Sequence, residues 1–362
     1  MSAGPIMIMA GGTGGHVFPG LAVAAELKAR HREVVWLGTQ RGLEARLVPQ
    51  HGIEIEWIKI AGVRGRGVWA WLSAPFRIVG AVVEALGALR RRRPAAVLGM
   101  GGFVAGPGGI AAWLTRRPLI LHEQNSVAGT TNRWLAPFAT RVFEAFPGSF
   151  PARTRAELIG NPVRSSLTPS EAPRNRLVAR RGLRRRVLVI GGSQGARVLN
   201  LVMPKALAEL PADRRPEVWH QAGRGLGDAR AAYAQADVDA RVVEFIDDMS
   251  EAYQWADLVV ARAGALTVSE LAMVGVGAVL VPFAAAIDDH QTLNARHFAK
   301  GGAALVIPER ELTPEGLARS LTACLGDLDG LARMAEAAHV QAKHAVASRL
   351  AEACVAAAEV RA

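Results

Sequence analysis

The chain has 362 residues, half of them apolar and 21% charged, which excludes an intrinsically disordered protein and leaves enough apolar residues for two globular domains. Two cysteines, Cys324 and Cys354, exclude a disulfide scaffold and a cysteine zinc site and fit a reducing compartment. A formal net charge of +11 favours anionic partners: nucleic acid, an acidic membrane face or phosphorylated substrates.

The opening MSAGPIMIMAGG lacks the basic flank and the apolar length of a signal peptide. It contains a predicted strand over residues 6–10, then the glycine-rich stretch MAGGTGGHVFPG at 9–20 and a predicted helix over 21–29. A P-loop would need a lysine after these glycines, and none follows. A dinucleotide fingerprint would need a third glycine where Val17 stands and an acid where Thr39 and Gln40 end the second strand. ATP hydrolysis and nicotinamide chemistry therefore lose ground. What remains is a helix N-terminus with exposed N–H groups, a site for an anion or polar ligand; the plain alternative is a tight turn that needs glycine. His16 at the helix entrance is a candidate general base, against a ring that merely caps the turn.

Further strands are predicted at 34–37, 96–99, 119–122 and 142–144. Between the second and third, residues 57–93 cluster Trp69, Trp71, Leu72, Phe76, Ile78, Val79 and Val82 with Arg64, Arg66, Arg77 and Arg90–Arg93. Tryptophans beside arginines suit an anionic membrane interface. A nucleic-acid groove competes, but two tyrosines in the chain leave few stacking platforms; a core helix with a solvated basic end is the bland alternative. The uncharged stretch 95–115 has a membrane-spanning length, yet six glycines and Pro107 make it a buried strand, a glycine-rich loop and a short helix.

Residues 161–186, rich in proline, serine and arginine, read as a linker. The strand–helix rhythm then restarts, with strands at 187–190, 218–220, 242–245, 258–260 and 278–281, and a helical tail after 313. This order predicts two Rossmann-like, doubly wound parallel sheets of α/β class facing a cleft. IMIMAGGTGGHVFPGLAV and VLVIGGSQGARVLNLVM form a weak internal repeat of one such unit. GGSQGA is positioned to cradle phosphate through its amides and the Ser193 hydroxyl. In ARAGALTVSE, Thr267 and Glu270 match a capping box, or Glu270 binds a ribose diol. No ligand set demands a metal, so a leaving diphosphate would be stabilised by helix N-termini and arginine.

GGTGGHVFPGLAVA, LVPQHGIEIEWI, GMGGFVAGPGG, LHEQNSVAGTTNRWLA, GNPVR, GGSQGAR, EFIDDM, GALTVSE and DDHQTLNA occur in order, and together they closely resemble the MurG family, the N-acetylglucosaminyltransferases of peptidoglycan synthesis. The resemblance implies the GT-B fold, with an acceptor and membrane-associating domain over 1–163, a UDP-GlcNAc domain over 164–345 and a helix at 346–362 that packs back on the first. It implies no metal and no cofactor. It implies inverting transfer of GlcNAc from UDP-GlcNAc to the C4 hydroxyl of the muramoyl sugar of lipid I, an undecaprenyl-linked acceptor. The enzyme would work peripherally on the cytoplasmic face of the cell membrane through the region from Trp69 to Val83, with no nucleic-acid partner.

Carried over by position, Thr13, Gly14, Gly15 and Asn125 would lie on the GlcNAc and acceptor side, and Arg164 and Ser193 would meet the UDP phosphates. Ile246 would present its backbone to uracil. Ala265, Leu266, Thr267, Val268, Ser269 and Glu270 would supply helix amides and a ribose-binding carboxylate. Gln291 would contact sugar hydroxyls, and His16 would lead as general base. A GT-B transferase acting on another glycolipid is the runner-up; a sugar-nucleotide epimerase and a nucleic-acid-binding protein are the other readings weighed.

Overall fold

Short β-branched runs that are apolar on both faces can be buried only between two layers of helix, and each half of this chain is built that way. The computed structural model describes residues 4–60, 68–169, 171–192, 195–283 and 289–360, with 68–74 and 165 described by backbone alone. These divide into two compact units, Met1–Arg164 with Ala345–Ala362, and Ser165–His344.

Unit 1 runs β1 (Ile6–Met9), α1 (Gly14–Ala29), β2 (Val34–Gly38), α2 (Glu44–Gln50), β3 (Glu54–Trp57), α3 (Val68–Arg92) and β4 (Ala96–Gly99). It continues with α4 (Ala105–Leu114), β5 (Leu119–Glu123), α5 (Thr130–Leu135), β6 (Arg141–Glu144) and β7 (Glu157–Leu158). The strands form one parallel sheet in the order β3-β2-β1-β4-β5-β6-β7. All five expected strands are present. Two edge strands were not expected: β3 alternates charge with apolar residues, and β7 is two exposed residues long. α1 starts seven residues ahead of the expected helix. It takes in Pro19 and three glycines because burial of Val17, Leu21, Val23, Ala24 and Leu27 overrides their poor helix propensity. The stretch 95–115 is β4, a glycine turn and α4, and among the described residues no helix is long and apolar enough to cross a membrane.

Unit 2 runs α6 (Pro173–Val178), β8 (Arg186–Ile190), α7 (Arg197–Ala208), β9 (Glu217–Gln221), α8 (Leu226–Gln235), β10 (Arg241–Val243) and α9 (Met249–Trp255). Then come β11 (Leu258–Ala261), α10 (Ala265–Val274), β12 (Gly277–Leu280), α11 (His290–Ala299), β13 (Ala304–Val306), α12 (Pro314–Gly326) and α13 (Leu328–Val340). Its parallel sheet has the order β10-β9-β8-β11-β12-β13. The stretch read as a linker is partly structured. α6 starts on Pro173, buries Leu177 in the unit 2 core, and its Arg176 guanidinium donates to the Val274 and Gly275 carbonyl oxygens at 3.3 and 2.7 Å. The final helix, α14 (Val346–Glu359), belongs to unit 1, where Leu350, Ala351 and Cys354 pack in one cluster with Ile6, Ala24 and Leu27. Arg30 donates to Ser348 Oγ at 2.6 Å and Arg32 pairs with Glu359 at 2.7 Å.

Strand order reverses between β1 and β4 in unit 1 and between β8 and β11 in unit 2. In a doubly wound sheet, that switch point opens a crevice at the carboxyl ends of the strands, where ligands bind. The loops that leave β1, β4 and β8 each carry two or more glycines, and the short one that leaves β11 ends in Gly264, the cap residue of α10.

Candidate active site

In unit 1 the loop after β1 ends in the first turn of α1. Thr13 occupies the cap position in extended conformation, its carbonyl accepting from the His16 and Val17 amides at 3.2 Å, and its hydroxyl makes no cap hydrogen bond. The Gly14 and Gly15 N–H groups have no partner among the described residues, as expected of first-turn donors. Glu44, fully buried at the start of α2, pins this loop. Its carboxylate accepts from the Gly12 amide at 2.9 Å and from the Thr39 amide and hydroxyl at 3.0 and 2.8 Å. Sequence reasoning missed Glu44, because nothing in the spacing ties it to Gly12. The loop after β4 presses against the same turn. A Cβ on Gly102 (φ +81°) would meet the Gly11 carbonyl oxygen, and one on Gly101 (φ +96°) would lie 3.0 Å from the His16 ring, so both positions need glycine.

The end of β5 supplies the wall behind His16. His16 Nδ1 lies 3.1 Å from Gln124 Oε1, and its Nε2 has no hydrogen-bond partner among the described residues. Gln124 Nε2 in turn lies 3.1 Å from Nδ1 of the buried His122, whose Nε2 is 2.9 Å from the Gly160 carbonyl oxygen. Glu123 accepts from the Asn125 amide (3.0 Å), the Asn125 side chain (3.2 Å), the Gly129 amide (3.0 Å) and Asn132 (2.9 Å), which holds Asn125 beside Gln124. Arg164 closes the unit with its guanidinium 5.1 Å from the centre of the Phe18 ring on α1.

In unit 2, α10 begins at the switch point with Gly264 as its cap residue. The capping-box reading fails here: Thr267 is already inside the first turn and Glu270 lies in the second, buried, accepting from the Tyr253 hydroxyl at 3.0 Å. The Leu266 and Thr267 N–H groups have no partner among the described residues. The Val268 amide is already held by the Gly264 carbonyl at 3.0 Å, and the Ser269 hydroxyl donates back to the Ala265 carbonyl at 2.9 Å. The run that offers amides is thus shorter than expected, since helical bonding begins at Val268. Ile246 buries its side chain, and neither its N–H nor its C=O is engaged among the described residues. Gln291 Oε1 accepts from the Phe283 amide at 2.9 Å. Arg262, which sequence reasoning passed over, is buried and donates to the Val281 and Pro282 carbonyls and to Glu309 (3.2, 3.3 and 3.0 Å), stacking over Phe283. Ser193 lies outside the described residues.

On α3, Phe76, Val79 and Val83 are more than three-fifths exposed at helical spacing, with Ile78 and the exposed Arg77 beside them. The side chains of Trp69, Trp71 and Leu72 lie outside the description. The arginine run at the far end of α3 is partly neutralised: Arg91 pairs with Glu56 at 2.5 Å, and Arg92 with Glu54 and Glu56 at 2.6 and 2.7 Å.

Two doubly wound units, each with a helix N-terminus opened by glycine at its switch point, form the GT-B fold of a nucleotide-sugar transferase. The glycosyltransferase family 28 N-terminal domain matches residues 6–144 and the family 28 C-terminal domain matches 186–350. The UDP-N-acetylglucosamine–N-acetylmuramyl-(pentapeptide) pyrophosphoryl-undecaprenol N-acetylglucosamine transferase of Nitrosococcus oceani is 56% identical over 97% of this chain and 98% of its own length. Its namesake in Marinobacter nauticus is 53% identical over 97% of both chains. The crystal structure of Acinetobacter baumannii MurG superposes with a TM-score of 0.82 at 40% identity, covering 98% of this chain and 99% of that one. The chain belongs to glycosyltransferase family 28 and, within it, to the MurG family.

Proposed function

We propose that this protein transfers N-acetylglucosamine from UDP-GlcNAc to the C4 hydroxyl of the muramoyl sugar on an undecaprenyl-pyrophosphate acceptor, converting lipid I to lipid II in peptidoglycan synthesis. The full-length identity to transferases named for this reaction carries the reading. In it, unit 2 holds the donor. The α10 amides of Leu266 and Thr267 face the diphosphate, joined by Arg164 and Ser193; Ile246 offers backbone groups to uracil, Glu270 its carboxylate to the ribose and Gln291 its amide to the sugar. Unit 1 holds the acceptor around Thr13, Gly14, Gly15 and Asn125, with His16 as base.

The reaction is a single in-line displacement. The acceptor oxygen forms a bond to the anomeric carbon while the bond from that carbon to the phosphate oxygen breaks, and its electron pair leaves with UDP. The hydroxyl proton passes to His16, and the anomeric configuration inverts from α to β. The developing charge on UDP falls where unpartnered helix amides are already oriented.

The acceptor's lipid tail keeps it at the bilayer, so the enzyme works peripherally at the cytoplasmic face of the membrane. The exposed α3 face of Phe76, Val79 and Val83 with Arg77 is the contact surface in this reading. Incubation with labelled UDP-GlcNAc and a lipid I analogue is expected to give labelled disaccharide product and UDP. Label released as free sugar or as an epimer with the acceptor untouched would overturn the assignment.

A further inference from the structure

The side chains behind His16 determine which of its two ring nitrogens is basic. The Gly160 carbonyl oxygen can only accept, so His122 Nε2, 2.9 Å away, carries a proton and donates. His122 is fully buried, and desolvation pushes its imidazole down to about 4, so near neutral pH it holds that one proton alone. Its Nδ1 is then a lone pair, to which the Gln124 amide nitrogen donates at 3.1 Å. That same nitrogen lies 3.3 Å from the His122 carbonyl oxygen. Two acceptors on one side therefore decide which end of the Gln124 carboxamide is nitrogen. Its oxygen faces His16 Nδ1 at 3.1 Å. A primary amide oxygen has no proton to give, so this hydrogen bond exists only when Nδ1 of His16 carries one.

We propose that Gln124, oriented by His122 and the Gly160 carbonyl, is a positioning residue that sets the His16 tautomer, keeping the proton on Nδ1 and leaving Nε2 as the lone pair that receives the acceptor's hydroxyl proton. The inference rests on the reading of His16 as the base and assigns the atom through which it acts. Gln124 is 1% exposed, so water does not compete for its oxygen. When Nε2 takes up the acceptor proton, the new imidazolium keeps donating from Nδ1 to Gln124, and no proton moves further along the chain. A carboxamide thus does what an ionised carboxylate does in other histidine-based sites: it orients the ring and selects the tautomer.

The test is long-range proton–nitrogen NMR on the intact enzyme labelled with 15N-histidine, the His16 signal being assigned by its loss in His16→Ala. The wild type is expected to show a protonated Nδ1 and an unprotonated Nε2 at His16. In Gln124→Met, of similar length but without an acceptor, the His16 proton is expected to shift toward Nε2, and kcat to fall at least about tenfold with the KM for UDP-GlcNAc within about threefold. Gln124→Glu keeps an oxygen facing Nδ1 but loses the donor that faces the His122 lone pair and carbonyl oxygen, so it is expected to preserve the wild-type tautomer with a turnover between those of Gln124→Met and the wild type. A wild-type His16 protonated on Nε2 would overturn the proposal without any variant, as would an unchanged tautomer and kcat in Gln124→Met. A His16 protonated on Nε2 in Gln124→Glu would also count against it. Transfer of GlcNAc with the wrong tautomer sinks the tautomer assignment alone, whereas the stated tautomer with no transfer sinks the functional reading alone.

Discussion

His16 and Glu270 stand at opposite ends of the proposed reaction, and their substitutions separate proton transfer from nucleotide binding. His16→Ala is expected to lower turnover by roughly a hundredfold to ten-thousandfold, the range of a general base, while UDP binding measured by calorimetry changes little. Equal turnover in the two enzymes would remove His16 from the chemistry. Glu270→Ala is expected to weaken UDP binding by about 1.5–3 kcal/mol, the worth of hydrogen bonds to a charged group. Glu44→Gln tests the loop support. One amide oxygen cannot serve all three donors that the carboxylate satisfies at 2.8–3.0 Å, so a loss of about 1–3 kcal/mol in urea unfolding is expected. His16 was legible because it follows a glycine run into a helix. Glu44, His122 and Gln124 were not: their partners lie 32, 38 and 108 residues away, and only the folded sheet brings those separations to hydrogen-bond distance.

At the scale of elements, the central strands could be read from the sequence because parallel strands buried on both faces are continuous apolar runs. β3 and β13 escaped because an edge strand exposes part of its surface and loses that pattern. The start of α1 escaped because Gly14, Gly15 and Pro19 carry the local signature of a loop, and the helix is imposed by packing. α3 has the opposite character, a helix with apolar residues left in solvent. Replacing Phe76 and Val79 together with serine is expected to loosen binding to anionic vesicles by several-fold in a sedimentation assay while sparing turnover of a soluble acceptor analogue. Undiminished vesicle binding would place the membrane contact elsewhere.

For the whole molecule, each unit carries one deeply buried neutral histidine. Desolvation holds His122 at about 4 and His220 at about 3 against an ordinary 6.5. Above pH 6.5 neither folded nor unfolded chain takes a proton at these rings, and their contribution to stability is complete. As the pH falls below 6.5 the unfolded chain binds protons that the folded one refuses, so stability is lost, by roughly 3 kcal/mol per histidine on reaching pH 4. Urea midpoints measured from pH 7.5 down to 4 are expected to decline through this window; a flat profile would contradict the buried neutral state. A different consequence follows from α14, which completes the core of unit 1 although all of unit 2 precedes it in the chain. On the ribosome unit 1 can therefore be sealed only after the whole of unit 2 has emerged. Until then the seat of Leu350 and Cys354 is open to chaperones and proteases, and a nonsense codon just after His344 would leave that seat vacant for good.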